Sequence, residues 1–400
     1  MTRLPGPLQP LWPAVKFVHQ RTALLSGAVF RRFAWLFGAR GLPRTAALTS
    51  AASAALEAPN VAVYDVAPAE TVTHVVPGPH PAYRFGETFH LGPRFVLEAH
   101  DGVVVGDYGA VVTPGHRLDF ETSPYFATPD WRQHPLFLRR RLPRIETFDG
   151  TLLVLATRGG QASYYHFLFD VLPRWATFRA AFPDLVPDAV YLPRATRYHR
   201  ELLELSGLAD LPIVESGSNR AVRATRLLVP SESNEMEMAP QWMVDHVRNV
   251  LPPDRTEGLP RRLFITRGEG RNTRQWLQED AAWPELERRG FVRIDPGTLS
   301  VRDQIDHFAA ADVIVGLHGA ALANLVFVRP GTRVLEVFAP TYVKHCYWVI
   351  TEAIPDVTYR YLLADGPTPR SDREWLTGIQ DDIDLSPERL LDAVDTLLAD

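Results

Sequence analysis

Beyond residue 255 the chain settles into an alternation that few folds can accommodate. Apolar strand-like runs at Arg262 to Thr266, Phe291 to Ile294, Asp312 to Val315 and Val334 to Phe338 are separated by stretches with helical spacing, roughly 275–289, 301–311 and 320–328. A repeated strand, helix, strand order demands crossover connections, and these produce a parallel sheet with helices on both faces. Ser300 followed by Asp303 predicts a capping box at the start of the middle helix. Pro387 to Leu398 carries Leu390, Leu391, Val394, Leu397 and Leu398 on one face and predicts an amphipathic helix able to pack across either half of the chain.

Upstream the pattern differs. Residues 60–150 alternate short β-type runs (Asn60 to Tyr64, Thr71 to Val76, Gly102 to Val105) with turns rich in Pro, Gly and His. Leu152 to Ala156 is then a continuous apolar run closed by Arg158-Gly159-Gly160, and Ser163 predicts an N-cap for a helix beginning near Tyr164. Val190 to Leu192 and Arg226 to Val229 read as further strands, with Glu201 to Ser206 helical between them and Met236 to Asn249 helical after them. Leu251-Pro252-Pro253-Asp254 and Glu257-Gly258-Leu259-Pro260 make a proline-rich hinge. The chain is therefore expected to divide into an arm (1–55), an α/β domain with a β-rich front (56–254), a second α/β domain (255–385) and a terminal helix (386–400).

Composition excludes several classes. The 400 residues carry 42 basic against 47 acidic side chains, a net charge of −5, so nothing drives polyanion binding by the chain as a whole. A single cysteine, Cys346, cannot close an internal disulfide, and no Cys/His cluster has zinc spacing. The first fifty residues are an exception to the charge balance. They hold Arg3, Lys16, Arg21, Arg31, Arg32, Arg40 and Arg44, with Trp12, Phe17, Phe30, Phe33, Trp35 and Phe37 interleaved and no acid before Glu57. The most apolar stretch, Thr22 to Gly38, is broken by Arg31-Arg32, so no membrane span or secretory signal is expected. Two readings stay open: an element lying on an anionic membrane, or an arm packed on its domain.

Four segments carry chemistry. Asp312 to Asn324 runs from a buried strand through Gly316-Leu317-His318-Gly319 into a helix. Such a helix N-terminus at a strand's carboxyl end suits a diphosphate, with Gly316 and Gly319 allowing close approach and His318 donating a hydrogen bond; a turn glycine pair with a structural histidine is the other reading. The segment is not G-x-G-x-x-G, which weakens a nicotinamide dinucleotide reading. Glu336 stands inside the next apolar strand; either a ribose cis-diol or an ion pair with Arg333 or Lys344 would account for it. Ile265 to Arg271, with Arg274, forms an arginine-rich strand-end loop able to neutralise a departing diphosphate. Tyr164 to Asp170 sets His166 and Asp170 four apart, a spacing that can fix an imidazole tautomer for general-base work or simply stabilise a helix.

Taken together, Tyr165-His166-Phe167 with Asp170, Leu263 to Arg267 with Arg274, Gln304 with Phe308, Gly316-Leu317-His318-Gly319-Ala320 with Asn324, Pro330-Gly331 and Glu336 resemble glycosyltransferase family 61 over about 160–350. The family includes bacterial capsular-polysaccharide biosynthesis proteins, plant xylan-decorating enzymes and animal O-linked GlcNAc transferases. The resemblance implies a GT-B-like α/β fold of two Rossmann-like domains facing a cleft, an inverting mechanism and a nucleotide-sugar donor. It implies that Arg267, Arg274, Gly316, His318, Gly319, Ala320, Asn324 and Glu336 hold the donor. This chain departs from the family at Ala321, Ala323, Gln275 and Gln278.

The reading that follows is a metal-independent glycosyltransferase moving a sugar from a nucleotide-sugar donor, expected to be UDP-linked, to a glycan or polysaccharide acceptor. No cofactor is expected. His166 is the expected base oriented by Asp170, or Asp170 acts directly. Asp382-x-Asp384 resembles a metal-diphosphate motif but adjoins Ser386-Pro387 and reads as helix capping and exposed charge. A cytoplasmic protein is the expected setting, with peripheral contact at the inner face of a membrane through residues 1–50 left open. Two rivals are a catalytically silent sugar-nucleotide or glycan binding component of a polysaccharide assembly complex, and an oxidoreductase.

Overall fold

The structure is a computed structural model in which residues 12–75, 88–126, 128–234, 236–267, 274–366 and 381–399 are described. The expectations resting on Arg3, Val76 and the loop 268–273, and on the side chains of Trp12 and Lys16, lie outside the described residues. The fold is mixed α/β, with a ten-stranded sheet in the front of the chain and a five-stranded sheet in the back.

The back sheet follows the alternation closely. Arg262–Ile265, Val292–Ile294, Val313–Leu317, Arg333–Phe338 and Thr358–Leu363 are all parallel. Numbered along the chain, their order across the sheet is 2-1-3-4-5. Period-two burial sends Leu263, Ile265 and Ile314 to one face and Phe264, Val313, Val315 and Leu317 to the other. The second face is covered by Glu279–Arg288 and by the terminal helix Pro387–Ala399, which buries Leu390, Val394 and Leu397 there. Ser300 caps Val301–Ala310 by accepting from the Asp303 amide. The capping box is incomplete, because the Asp303 carboxylate takes the Ser300 hydroxyl at 2.6 Å. The expected α-helix at 320–328 is instead the 3-10 helix Ala320–Phe327, whose first bond runs from the Leu322 amide to the Gly319 carbonyl.

The front sheet is organised by one long strand, Ala221–Pro230. It pairs parallel with Ile145–Val154 on one side, and antiparallel with Val103–Val105 and Arg94–His100 on the other. Ala189–Leu192 and Ile213–Glu215 extend the parallel part. The helix expected from Met236 is shorter, Gln241–Val250, because Glu237 and Ala239 have positive φ and Pro240 sets the N-cap.

Residues 12–57 pack on this sheet. Trp12–Arg32 leads into the 3-10 turn Ala34–Arg40, and Thr45–Ala47 pairs with Arg117–Asp119. Fully buried Asp119 fastens the helix Ser50–Glu57 by accepting from Ser50 Oγ at 2.9 Å and Ser53 Oγ at 2.5 Å. No helix among the described residues is long and apolar enough to cross a membrane. A single apolar core, including Leu153, Phe167, Phe308 and Ile314, runs between the two sheets.

Candidate active site

Ligands in open α/β sheets sit beyond the carboxyl ends of strands, where neighbouring connections diverge. In the back sheet that point lies between Arg262–Ile265 and Val313–Leu317. The residues leaving those strands are Thr266-Arg267 and His318-Gly319. In the parallel part of the front sheet the order is 4-1-2-3, and the equivalent point lies between Ile145–Val154 and Ala221–Pro230. What leaves those strands is the Gly159 turn with its helix, and the polar run Ser231 to Asn234.

At the back-sheet point His318 is buried, its ring stacked on Phe338 at 4.9 Å and flanked by Tyr342 and Tyr347. Its Nδ1 lies 2.5 Å from Glu336 Oε1, and Glu336 Oε2 accepts from the Tyr359 hydroxyl at 2.6 Å. Burial pushes the Glu336 carboxyl up to about 8, against the Tyr359 hydrogen bond and the Arg274 charge. Burial, followed by the charges of Arg274, Arg267 and Lys344, holds the His318 imidazole well below its usual range. Both shifts favour the neutral pair, with a Glu336 proton donated to Nδ1 and the ring's own proton on Nε2.

This arrangement corrects two expectations. Both oxygens of Glu336 are taken by protein groups, so the carboxyl positions His318 instead of meeting a ribose, and neither Arg333 nor Lys344 pairs with it. Arg333 donates to the Leu397 and Leu398 carbonyls, and Lys344 bonds Glu237 at 2.6 Å. Asn324 is fully buried. Its Oδ1 accepts from the Tyr164 hydroxyl at 2.8 Å, and its Nδ2 donates to Gln304 Oε1 and the Ala321 carbonyl, both at 3.0 Å. It is occupied in joining the two sheets.

The arginines behave as an anion site would require. Arg267 donates to the His318 carbonyl at 2.8 Å, and its guanidinium occupies the space that a Cβ on Gly319 would fill. Burial, then the charge of Arg274, lowers its pKa to about 10. Arg274 is buried, has φ +67°, and lies over the Tyr342 ring at 4.9 Å. Neither Nε has a hydrogen-bond partner, and among the described residues no carboxylate pairs with either side chain. Gly316 is a packing glycine, since a Cβ there would approach Leu322 to 2.7 Å. Ala320 opens the 3-10 helix and is partly exposed.

At the front-sheet point His166 Nδ1 lies 2.7 Å from Asp170 Oδ2, and Asp170 Oδ1 accepts from Asn234 Nδ2 at 2.8 Å. The Ala239 amide in turn donates to Asn234 Oδ1 at 3.0 Å. The expected helix opens at Tyr164 with Ser163 as cap, then widens into a π turn over Phe167–Val171 before the α-helix Leu172–Ala181. Pro173 lacks the N–H that would continue the α ladder, which favours the wider turn just before it. Gly159, at φ +80°, makes room for the His166 ring, because a Cβ would come within 2.5 Å of it. Burial lowers the His166 pKa, but the Asp170 charge and hydrogen bond, with Glu237 and Glu232 beyond, outweigh it and raise the net value.

The two points face each other across Tyr165 and Tyr347, whose rings lie 5.9 Å apart, and across the Glu237–Lys344 pair. Asn234, Glu237, Tyr342 and Tyr359 escaped the sequence reading; only Asn234 left a trace, in the polar run that follows an apolar strand. Asp382 and Asp384 are engaged with the Gln275 amide and the Gln278 side chain, and no metal-ligating cluster occurs among the described residues.

Residues 164–335 match the family described as Glycosyltransferase 61. Over those residues the chain is similar to glycosyltransferase family 61. The family segment begins at Tyr164, two residues before His166, and ends at Leu335, beside Glu336, so it spans both facing points. No curated protein matches this glycosyltransferase. Among solved structures it is similar to the iron-containing dodecameric glycosyltransferase TibC from enterotoxigenic E. coli, at 9% identity over 90% of this chain and 99% of that one, TM-score 0.33. It is also similar to the heptosyltransferase TibC in complex with ADP-D-beta-D-heptose, at 8% identity over 77% of this chain and 94% of that one, TM-score 0.34.

Proposed function

We propose that this glycosyltransferase inverts the anomeric centre without a metal ion, on a GT-B arrangement in which residues 255–385 hold a nucleotide-sugar donor and residues 56–254 receive a glycan or polysaccharide acceptor. The observation carrying the proposal is a buried arginine, Arg274, beside a partly buried one, Arg267, with no carboxylate partner among the described residues, across the cleft from a histidine already oriented by a carboxylate. In a single displacement the acceptor hydroxyl gives its proton to His166 Nε2 as its oxygen bonds the anomeric carbon. The bond from that carbon to the diphosphate oxygen breaks on the opposite face. The charge that appears on the diphosphate is met by Arg267, Arg274 and the Nε2–H of His318.

The discriminating experiment is a thermal-shift screen of nucleoside diphosphates and their sugars, UDP first, with a chelator present. A ligand at about 100 times its dissociation constant stabilises by about 2.7 kcal/mol. Binding and turnover that need manganese or magnesium would remove the metal-independent mechanism. Stabilisation by NAD(H) alone would remove the nucleotide-sugar donor.

A further inference from the structure

We propose that the face built by Trp12–Arg32 and the segment 131–144 docks on an anionic lipid bilayer. The two segments are about a hundred residues apart in the chain, and the fold joins them. Gly27 sits against Phe137, where a Cβ would come within 2.9 Å of the Phe137 carbonyl, and the Arg31 guanidinium stacks on the Trp131 and Phe137 rings at 5.2 and 4.8 Å. The Leu142 amide donates to the Arg40 carbonyl at 2.7 Å, and Arg40 Nε returns a bond to the Leu142 carbonyl at 3.1 Å.

Joining them concentrates charge. Residues 12–56 contain six basic side chains and no acidic one, and residues 131–144 contain five and none, in a chain whose net charge is −5. Arg21, Arg32, Arg140 and Arg141 are exposed there. The apolar side chains on the same face point outward. Val18, Leu25 and Val29, at i, i+7 and i+11, share the helix side turned away from Phe137 and are 59%, 69% and 51% exposed, and Trp35 and Leu36 continue the stripe at 64% and 59%.

An aliphatic and aromatic stripe flanked by arginines matches an interface with acyl chains below and phosphate headgroups around it. A nucleic acid would use the arginines but leave Leu25 and Val29 in water, and a second copy would set like charge against like.

The test is sedimentation of the full chain with phosphatidylcholine vesicles and with vesicles containing about 30% phosphatidylglycerol, at low and raised salt. The expected result is binding to the anionic vesicles only, weakened by salt. Charge reversal at Arg21, Arg32, Arg140 and Arg141 together should abolish it, each arginine accounting for roughly fivefold. Trp35→Ala with Leu36→Ser should weaken binding severalfold and leave its salt dependence in place. Circular dichroism melts and UDP binding report whether each variant is folded, and arginine-to-glutamine replacements serve if reversal prevents folding. Wild-type protein that stays in the supernatant, sediments equally with both lipids, or retains full binding after charge removal overturns the proposal. So does retention on duplex DNA without vesicle binding, or dimerisation abolished by the Trp35 and Leu36 substitutions. Because UDP binding is read separately, failure here leaves the donor site untouched.

Discussion

His166 with Asp170 and His318 with Glu336 are built alike: an imidazole Nδ1 within 2.7 Å of a carboxyl oxygen, the other oxygen accepting from a third side chain. Their surroundings drive them apart. His166 retains some contact with solvent and has Glu237 and Glu232 in range, so the balance favours its protonated form. The His318 pair is sealed, so burial strips charge from both partners; the charges of Arg267 and Arg274 reinforce this at His318, and Arg274 opposes it at Glu336 without outweighing burial. One motif thus holds its proton more tightly at His166 and less tightly at His318, and the depth of burial together with the neighbouring charges sets the difference.

The largest effect should come from His166→Ala. Loss of a general base lowers kcat by about 10² to 10⁴, with UDP affinity nearly unchanged. Asp170→Asn should cost less if the carboxylate only orients the ring. A greater loss at Asp170 than at His166, with both variants folded, would make the carboxylate the base. On the other side of the comparison, His318→Ala should leave the acceptor side intact and weaken UDP binding by about 1.5 to 3 kcal/mol, the worth of a hydrogen bond to a charged oxygen. Unchanged affinity in a titration would leave His318 a structural residue.

Asn234→Ala sharpens the contrast because it reaches the His166 pair and not the His318 pair, while also releasing the Tyr165 hydroxyl and the Ala239 amide. Removing the donor leaves a buried Asp170 oxygen without its partner, at a cost of about 1 to 3 kcal/mol in stability by denaturant unfolding. The acid limb of the kcat profile should move with it, and a profile identical to wild type would uncouple Asn234 from His166.

The smallest effects are in pH, and they have opposite origins. His166 must be unprotonated to act, so kcat should rise with pH through a value above that of a free histidine. The raised His166 pKa adds stability that is complete below about 6.5 and lost as pH climbs through the folded value. Glu336 stabilises the fold in its protonated form. That contribution is complete below about 4.3, the value for an unfolded glutamate. It is lost as pH rises through the folded value of about 8. In the same range the ionised carboxylate would draw the imidazole proton to Nδ1, and UDP affinity should fall. Glu336→Gln keeps a donor to Nδ1 and should remove that alkaline loss; an alkaline limb that survives the substitution would assign it to another group.

Legibility followed sequence distance. The back sheet could be read because each strand is followed by its own helix and pairs within about seventy residues, so local period carried the topology. The His166–Asp170 spacing was visible for the same reason. Glu336 was misread because its partner is eighteen residues upstream on a neighbouring strand, and a buried carboxylate looks the same in sequence whether it awaits a sugar or an imidazole. Asn324 was misread because its bonds to Tyr164 and Gln304 belong to the contact between sheets. In the front half, nothing local announces that Ala221–Pro230 pairs with strands more than a hundred residues upstream.

That strand has a consequence for how the front sheet comes apart. Ala221–Pro230 is hydrogen-bonded along both edges, to antiparallel neighbours on one side and to the first parallel strand on the other. Neither half of the sheet can open without exposing one of its edges, so the two halves form a single cooperative unit. In native-state hydrogen exchange the Leu227 and Leu228 amides should rank among the slowest in the front sheet, and the amides of Leu97 and Leu153 should open with them at one free energy instead of two. Separate protection levels for those neighbours would divide the sheet along the strand that holds it together.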